Sequence, residues 1–186
     1  MKHWKRLTAL VLALTLCAGL LAGCGNSDEG DEVDNKTYAS EGGSVTMPEG
    51  FAAEGHFTSQ IAGDTLYVDF NGIQKRDTGY FAPAGDSITI NITATTESEG
   101  NKEFKAALWK QVASGAQYVD GCTIYFKAVG SCYTYTITGL DPASKYRITL
   151  SYDSPKYYIT GQMSVGGLAT AERSDEEQQA EEAKNA

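Results

Sequence analysis

Between residues 44 and 169 apolar and polar side chains alternate with a period of two, and turn residues recur every eight to twelve positions. That spacing is the signature of half-buried strands in an all-β sandwich or barrel. In "SITINIT", Ile88, Ile90 and Ile92 fall on one face and Thr89, Asn91 and Thr93 on the other. The pattern predicts strands over 65–70, 86–95, 103–112, 122–129, 132–138, 145–152 and 157–165, each rich in Ile, Val, Thr, Tyr or Phe. "ESEGNKE", "PAGD" and "AVGS" between them are turn chemistry. The fold class is therefore all-β, a single antiparallel β-sandwich of immunoglobulin-like or jelly-roll type.

The alternation also suggests a pairing. A tight turn at Val129-Gly130 would set Phe126 opposite Tyr133, Ile124 opposite Tyr135 and Cys122 opposite Ile137, all on one face. Thr123, Tyr125 and Lys127 would share the other face with Thr136, Thr134 and Cys132. A one-residue slip would scramble this sorting. Cys122 and Cys132 then stand five rungs apart at roughly 3.3 Å each, beyond a disulfide's Cα reach of about 7 Å. The register predicts no disulfide between them.

Leu140-x-Pro142-x-x-x-Tyr146 resembles the tyrosine corner of fibronectin type III and related immunoglobulin-like sandwiches. The resemblance implies that Leu140 plugs the core edge, Pro142 stiffens the turn and the Tyr146 hydroxyl bonds back to nearby backbone. It covers about 20 residues and speaks to the fold alone. The domain is longer than that family's, and a jelly roll or the bacterial pre-peptidase C-terminal type of sandwich fits its length as well.

Charge changes the picture at the ends. The segment 25–43 holds six acids against Lys36, and 170–186 holds six against Arg173 and Lys184, whereas 44–169 holds 12 acids and nine bases. The acidity belongs to two tails: a flexible tether over 24–43 and a disordered or frayed-helical tail over 170–186. The sign of the charge excludes a phosphate-contacting surface for nucleic acid.

Ahead of the tether, Lys2, Lys5 and Arg6 precede an uncharged run from Leu7 to Ala22. These are the basic and apolar regions of an export signal, and the run is short for a membrane-spanning helix. Leu21-Ala22-Gly23-Cys24 resembles the lipobox of bacterial lipoproteins. The resemblance implies a signal peptide over 1–23, cleavage between Gly23 and Cys24, and a diacylglycerol on the Cys24 thiol, with palmitate-type chains holding the protein outside the cytoplasmic membrane. Each buried CH₂ contributes roughly 0.8 kcal/mol, so two or more acyl chains make a stable anchor.

Catalytic chemistry is sparse. Beyond Gly23 the one histidine is His56, no G-x-S-x-G nucleophile motif occurs, and no C-x-x-C or Gly-rich phosphate loop is present. The reading is a non-enzyme without metal or cofactor. Ten of the eleven tyrosines lie in 44–169, and Trp109 is the only tryptophan after Trp4. Aromatic rings with polar edges suit sugar stacking, which makes Tyr125, Trp109, Tyr152, Tyr157 and Tyr158 the candidate ligand face. Trp109 alternates out of phase with Phe104, Ala106 and Leu108 and so points outward. The expected partners are the membrane, through the lipid, and a glycan or an envelope protein; an accessory role through edge-strand pairing is the alternative.

Overall fold

The computed structural model describes residues 36–170. The export signal, Gly23, Cys24, most of the tether and the C-terminal tail lie outside the described residues. The described chain forms eleven strands: β1 (Thr37–Tyr38), β2 (Ser40–Glu41), β3 (Phe57–Ala62), β4 (Thr65–Ile73), β5 (Lys75–Asp77), β6 (Ser87–Thr96), β7 (Glu103–Val112), β8 (Gly115–Lys127), β9 (Val129–Thr138), β10 (Tyr146–Ser151) and β11 (Ile159–Gly166). They make a five-stranded sheet, β1-β8-β7-β10-β5, and a six-stranded sheet, β2-β9-β6-β11-β4-β3. Every pairing is antiparallel except β1 with β8.

Alternation puts one face of each sheet inward. Ile88, Ile90, Ile92 and Ala94 of β6 lie beside Met163 and Val165 of β11 and Leu66, Val68 and Phe70 of β4. Phe104, Ala106 and Leu108 of β7, Ile124 and Phe126 of β8, and Ile148 and Leu150 of β10 supply the other layer. All are buried in one core. Fully burying a side chain of this size contributes roughly 1.5–3 kcal/mol, which fixes which face of each strand is internal.

The central strand order settles which sandwich this is. The order β4-β11-β6-β9 stands against β5-β10-β7-β8, the double Greek key of a jelly roll. In an immunoglobulin-like sandwich the last strand would join the sheet of β10; here β11 inserts between β4 and β6.

The expected hairpin over 122–137 does not form. The strands β8 and β9 belong to different sheets: β8 pairs with β7, Phe126 opposite Phe104, and β9 pairs with β6, Ile137 opposite Ile88. The chain changes sheets at the single buried residue Ala128, whose N–H donates to Lys102 O at 2.7 Å. Ile124, Phe126, Tyr133 and Ile137 do all face the core, but from opposite layers, so their sorting reflects a shared interior rather than a shared ladder. Cys122 and Cys132 are not joined by a disulfide; the change of sheet, not a five-rung offset, places them apart.

Three further departures come from short or exposed elements. The tether's residues 37–41 supply β1 and β2, pairing with Ile124–Tyr125 and Tyr133–Thr134. The edge strands β3 and β5 lack a clean apolar alternation, β5 being Lys-Arg-Asp. The strand β8 begins at Gly115, seven residues before the expected start, and its ladder with β7 is interrupted between Ala107 and Trp109. Gly121, with φ of 73°, sits in that irregularity, where a left-handed backbone favours glycine.

Between β9 and β10 the corner has the geometry its residues imply. The Asp141 N–H donates to Tyr146 Oη at 3.1 Å, and Leu140 and Tyr146 are buried. The Tyr146 backbone exchanges two bonds of 2.8 Å with Phe81, tying the corner to the loop after β5. Tyr146→Phe is expected to keep the fold and lower its stability by about 1 kcal/mol, the net worth of one such bond, measured by urea denaturation.

Candidate functional site

The outward side chains of the five-stranded sheet are set by the same registers. Along one row lie Tyr38, Tyr125 and Lys105; along the next Thr123, Ala107, Thr149 and Asp77; along the third Tyr118, Trp109 and Arg147. The first and third rows are aromatic and cationic, the middle one small. Lys105 and Trp109 are four residues apart on one strand, about 13 Å at the strand rise, so two aromatic pairs flank a shallow trough.

Each pair is held in place. The Tyr38 and Tyr125 rings lie 5.6 Å apart, with Lys36 Nζ 4.9 Å from the centre of the Tyr125 ring. Glu103 anchors both, accepting from Lys36 Nζ at 2.9 Å and from Tyr38 Oη at 2.7 Å. At the other end Trp109 and Tyr118 meet edge to face at 5.7 Å, and the Tyr118 hydroxyl lies 2.9 Å from Thr123 Oγ1. Arg147 carries its guanidinium 5.6 Å from the Tyr80 ring centre, and its Nη1 is 3.1 Å from Asp77 Oδ2. Asp77 also accepts from Thr149 Oγ1 at 2.6 Å. Next to one another on this seam, Trp109 Nε1 and Arg147 Nε are buried donors with no hydrogen-bond partner.

The six-stranded sheet presents a different outer face, made of hydroxyls and amides such as Thr89, Asn91, Thr93, Thr134 and Thr136. Part of it is covered. The segment 42–56 runs from β2 on one edge to β3 on the other, and Gly43 lies so near Asn91 Oδ1 that a side chain there would collide with it. Beyond this strap a hollow of about 430 Å³ is lined by Asp69, Thr93 and Gln162, and another of about 630 Å³ by Glu97, Lys156, Tyr157 and Tyr158; Asn71, Thr95 and Thr160 border both.

The five aromatic candidates thus fall in three places. Trp109 and Tyr125 share the five-stranded face, and Tyr157 and Tyr158 line the second hollow, Tyr158 being 52% exposed. Tyr152 is a correction: it is 3% exposed, in the core, with its hydroxyl donating to Asn101 O at 2.7 Å. It continues the inward phase of Tyr146, Ile148 and Leu150 one residue past β10, so the alternation itself places the ring in the core. Sequence reasoning missed Tyr38, Tyr118 and Arg147, brought to the face by registers that only the sheet order supplies, and Tyr80, which reaches Arg147 from the loop after β5. His56 is exposed, its Nδ1 2.7 Å from Asn71 O. Among the described residues no group of three or more His, Cys, Asp or Glu is arranged to hold a metal.

No family model matches the chain, and no curated protein matches it. A solved structure described as "CBM4 structure and function" aligns over 60% of this chain and 73% of its own, at 10% identity and a TM-score of 0.32.

Burial opposes ionisation of Glu103, but the hydrogen bonds from Lys36 and Tyr38 and the charges of Lys36 and Lys127 outweigh it, holding the carboxyl below the ordinary glutamate range. A depressed folded-state pKa stabilises above the unfolded value and loses that contribution as pH falls through the folded one. The anchoring of Lys36 and Tyr38 is therefore expected to persist at neutral pH and loosen only below the pH at which free glutamate titrates. A ¹³C titration of the Glu103 carboxyl checks this, and Tyr38→Phe is expected to move its midpoint upward.

Proposed function

We propose that this chain is a lipid-anchored extracytoplasmic module that binds glycan, without catalysis, on the outer face of its five-stranded sheet. The observation that carries the reading is the pair of aromatic clusters, Tyr38–Tyr125 and Tyr118–Trp109, on either side of the small residues Thr123 and Ala107. A sugar ring has apolar C–H faces and a polar rim. Aromatic rings take the faces, and Lys105 and Arg147 lie on the same side of the sheet to meet the rim. The two clusters stand about 13 Å apart along the strands, which suits an extended chain of linked rings better than a single sugar. The six-stranded face, crossed by its strap, leaves less uninterrupted surface.

The anchoring half of the proposal rests on Leu21-Ala22-Gly23-Cys24 and the basic and apolar segments before it. Cys24→Ser is expected to abolish incorporation of labelled palmitate in a bacterial host and to move the protein out of the membrane fraction. Labelling that survives the substitution would refute a lipid on that thiol.

For the ligand, the chain from residue 25 to 186 has Trp109 as its one tryptophan. Its emission is expected to shift saturably when cell-wall fragments or one class of oligosaccharide is added. Calorimetry on Tyr125→Ala and Tyr118→Ala is expected to show affinity reduced by about tenfold or more each, since loss of an aromatic contact is worth roughly 1–3 kcal/mol including buried area. Tyr157→Ala and Tyr158→Ala are expected to bind as the wild type does. Binding lost in the latter pair and kept in the former would move the site to the six-stranded face.

A further inference from the structure

A sheet that ends in solvent leaves a row of backbone groups able to template another strand, and native sheets blunt such edges with charge, shortness or bulges. Three of the four sheet ends among the described residues are blunted in this way. At β5 all three residues, Lys75, Arg76 and Asp77, are charged and exposed. At the opposite end β1 has two residues, and the stretch of β8 it leaves uncovered carries Asp120 and the irregularity at Gly121. The third, β2, has two residues, one of them Glu41. The fourth, β3, has none of these devices. Phe57–Ala62 reads FTSQIA, without charge, proline or glycine, in uninterrupted register with β4.

The direction of its backbone groups follows from one bond. Asn71 N–H donates to His56 O at 2.9 Å, and bonded pairs alternate along an antiparallel ladder. Thr58, Gln60 and Ala62 therefore bond to β4, while the N–H and C=O of Phe57, Ser59 and Ile61 face the open edge. The side chains of those same three residues lie on the inward side, opposite Phe70, Val68 and Leu66. Phe57 packs against the core and Ser59 Oγ accepts from Gly79 N–H at 3.3 Å, but Ile61 is left 44% exposed.

We infer that β3 is the interface of a homodimer, two copies pairing their β3 strands antiparallel about a two-fold axis through Ser59. In that register Ser59 faces its own copy, Phe57 faces Ile61 on both sides of the axis, and Thr58 faces Gln60. Apolar side chains meet apolar ones and polar meet polar, with no charge opposed within the strand. The three residues whose backbone groups point outward are the three that form hydrogen-bonded rungs, each rung exchanging two bonds. The exposed Ile61 is covered by an aromatic ring, and the six-stranded sheets join into one. A foreign strand would need no such self-matching; a two-fold contact requires the same patch to complement itself, and this one does.

Sedimentation velocity on residues 25–186 over a concentration series tests the inference. A monomer–dimer equilibrium is expected, with loss of the dimer in Ile61→Lys while the far-UV spectrum and thermal midpoint stay at wild-type values. Ser59→Cys is expected to give disulfide-linked dimers on mild oxidation, since facing bonded residues lie about 5.5 Å apart, within disulfide reach; Thr58→Cys, which faces Gln60, is expected not to. Wild-type chain sets the background from Cys122 and Cys132. A chain that sediments as a monomer throughout overturns the inference, as does a dimer indifferent to Ile61→Lys or a Ser59→Cys chain linked no more than wild type. Glycan binding is read on the other sheet, so either result stands apart from it.

Discussion

The apolar rows that face each other across the two sheets are the constraint on which the rest depends. Ile88, Ile90 and Ile92 with Met163 and Val165 on one side, and Phe104, Ala106, Leu108, Ile148 and Leu150 on the other, are buried together. A strand has only two faces, so assigning one of them to this core leaves the other to carry whatever chemistry the sequence has left. On β6 and β9 the remainder is mostly threonine, with Ser87, Asn91 and Cys132. On β7, β8 and β10 it is Trp109, Tyr118, Tyr125, Lys105 and Arg147, which is why paired aromatic rings gather on that sheet.

The same logic explains what could be read from sequence and what could not. Period-two alternation reports which side chains face inward, so β4, β6, β7, β9, β10 and β11 were legible to within a few residues, as was the outward turn of Trp109. It does not report which strand lies beside which. Phe126 and Tyr133 sort to one face whether they are neighbours in a hairpin or opposed across a core, and only the step at Ala128 tells the two apart. That step has no signal of its own in the sequence, since "KAVGS" reads equally well as a tight turn. The Leu140–Tyr146 corner was legible because its chemistry is local: six consecutive residues contain both the donor N–H and the accepting hydroxyl. Being local, it did not specify the sheet order, which is that of a jelly roll.

The face that carries the proposed site shows the limit more sharply. Trp109 and Tyr125 lie on strands with clean alternation, but their partners do not. Tyr118 precedes the interruption in β8, and the shift of register there, from Ala107 opposite Thr123 to Trp109 opposite Tyr118, is what brings it against the indole. Tyr38 arrives from a stretch whose acidic composition reads as tether, paired to β8 over two residues and latched by Glu103. Tyr152 failed in the opposite sense: it sits in a polar string, "SYDSPKYY", but shares the phase of Ile148 and Leu150, so its ring is internal and its hydroxyl is satisfied by Asn101 O.

The two surfaces argued for are compatible because they belong to different sheets. Pairing through β3 extends the six-stranded layer sideways and leaves the outer face of the five-stranded layer uncovered, so a dimer would present two aromatic troughs to one polymer. When a repeating ligand spans both, the second engagement is intramolecular, and its effective concentration multiplies the affinity without any new contact. The proposed lipid anchor would act in the same direction, since copies held on one membrane meet far more often than copies free in solution. A surface that grips each ring weakly through Tyr38–Tyr125 and Tyr118–Trp109 is then sufficient, because the second engagement rather than the first supplies the avidity.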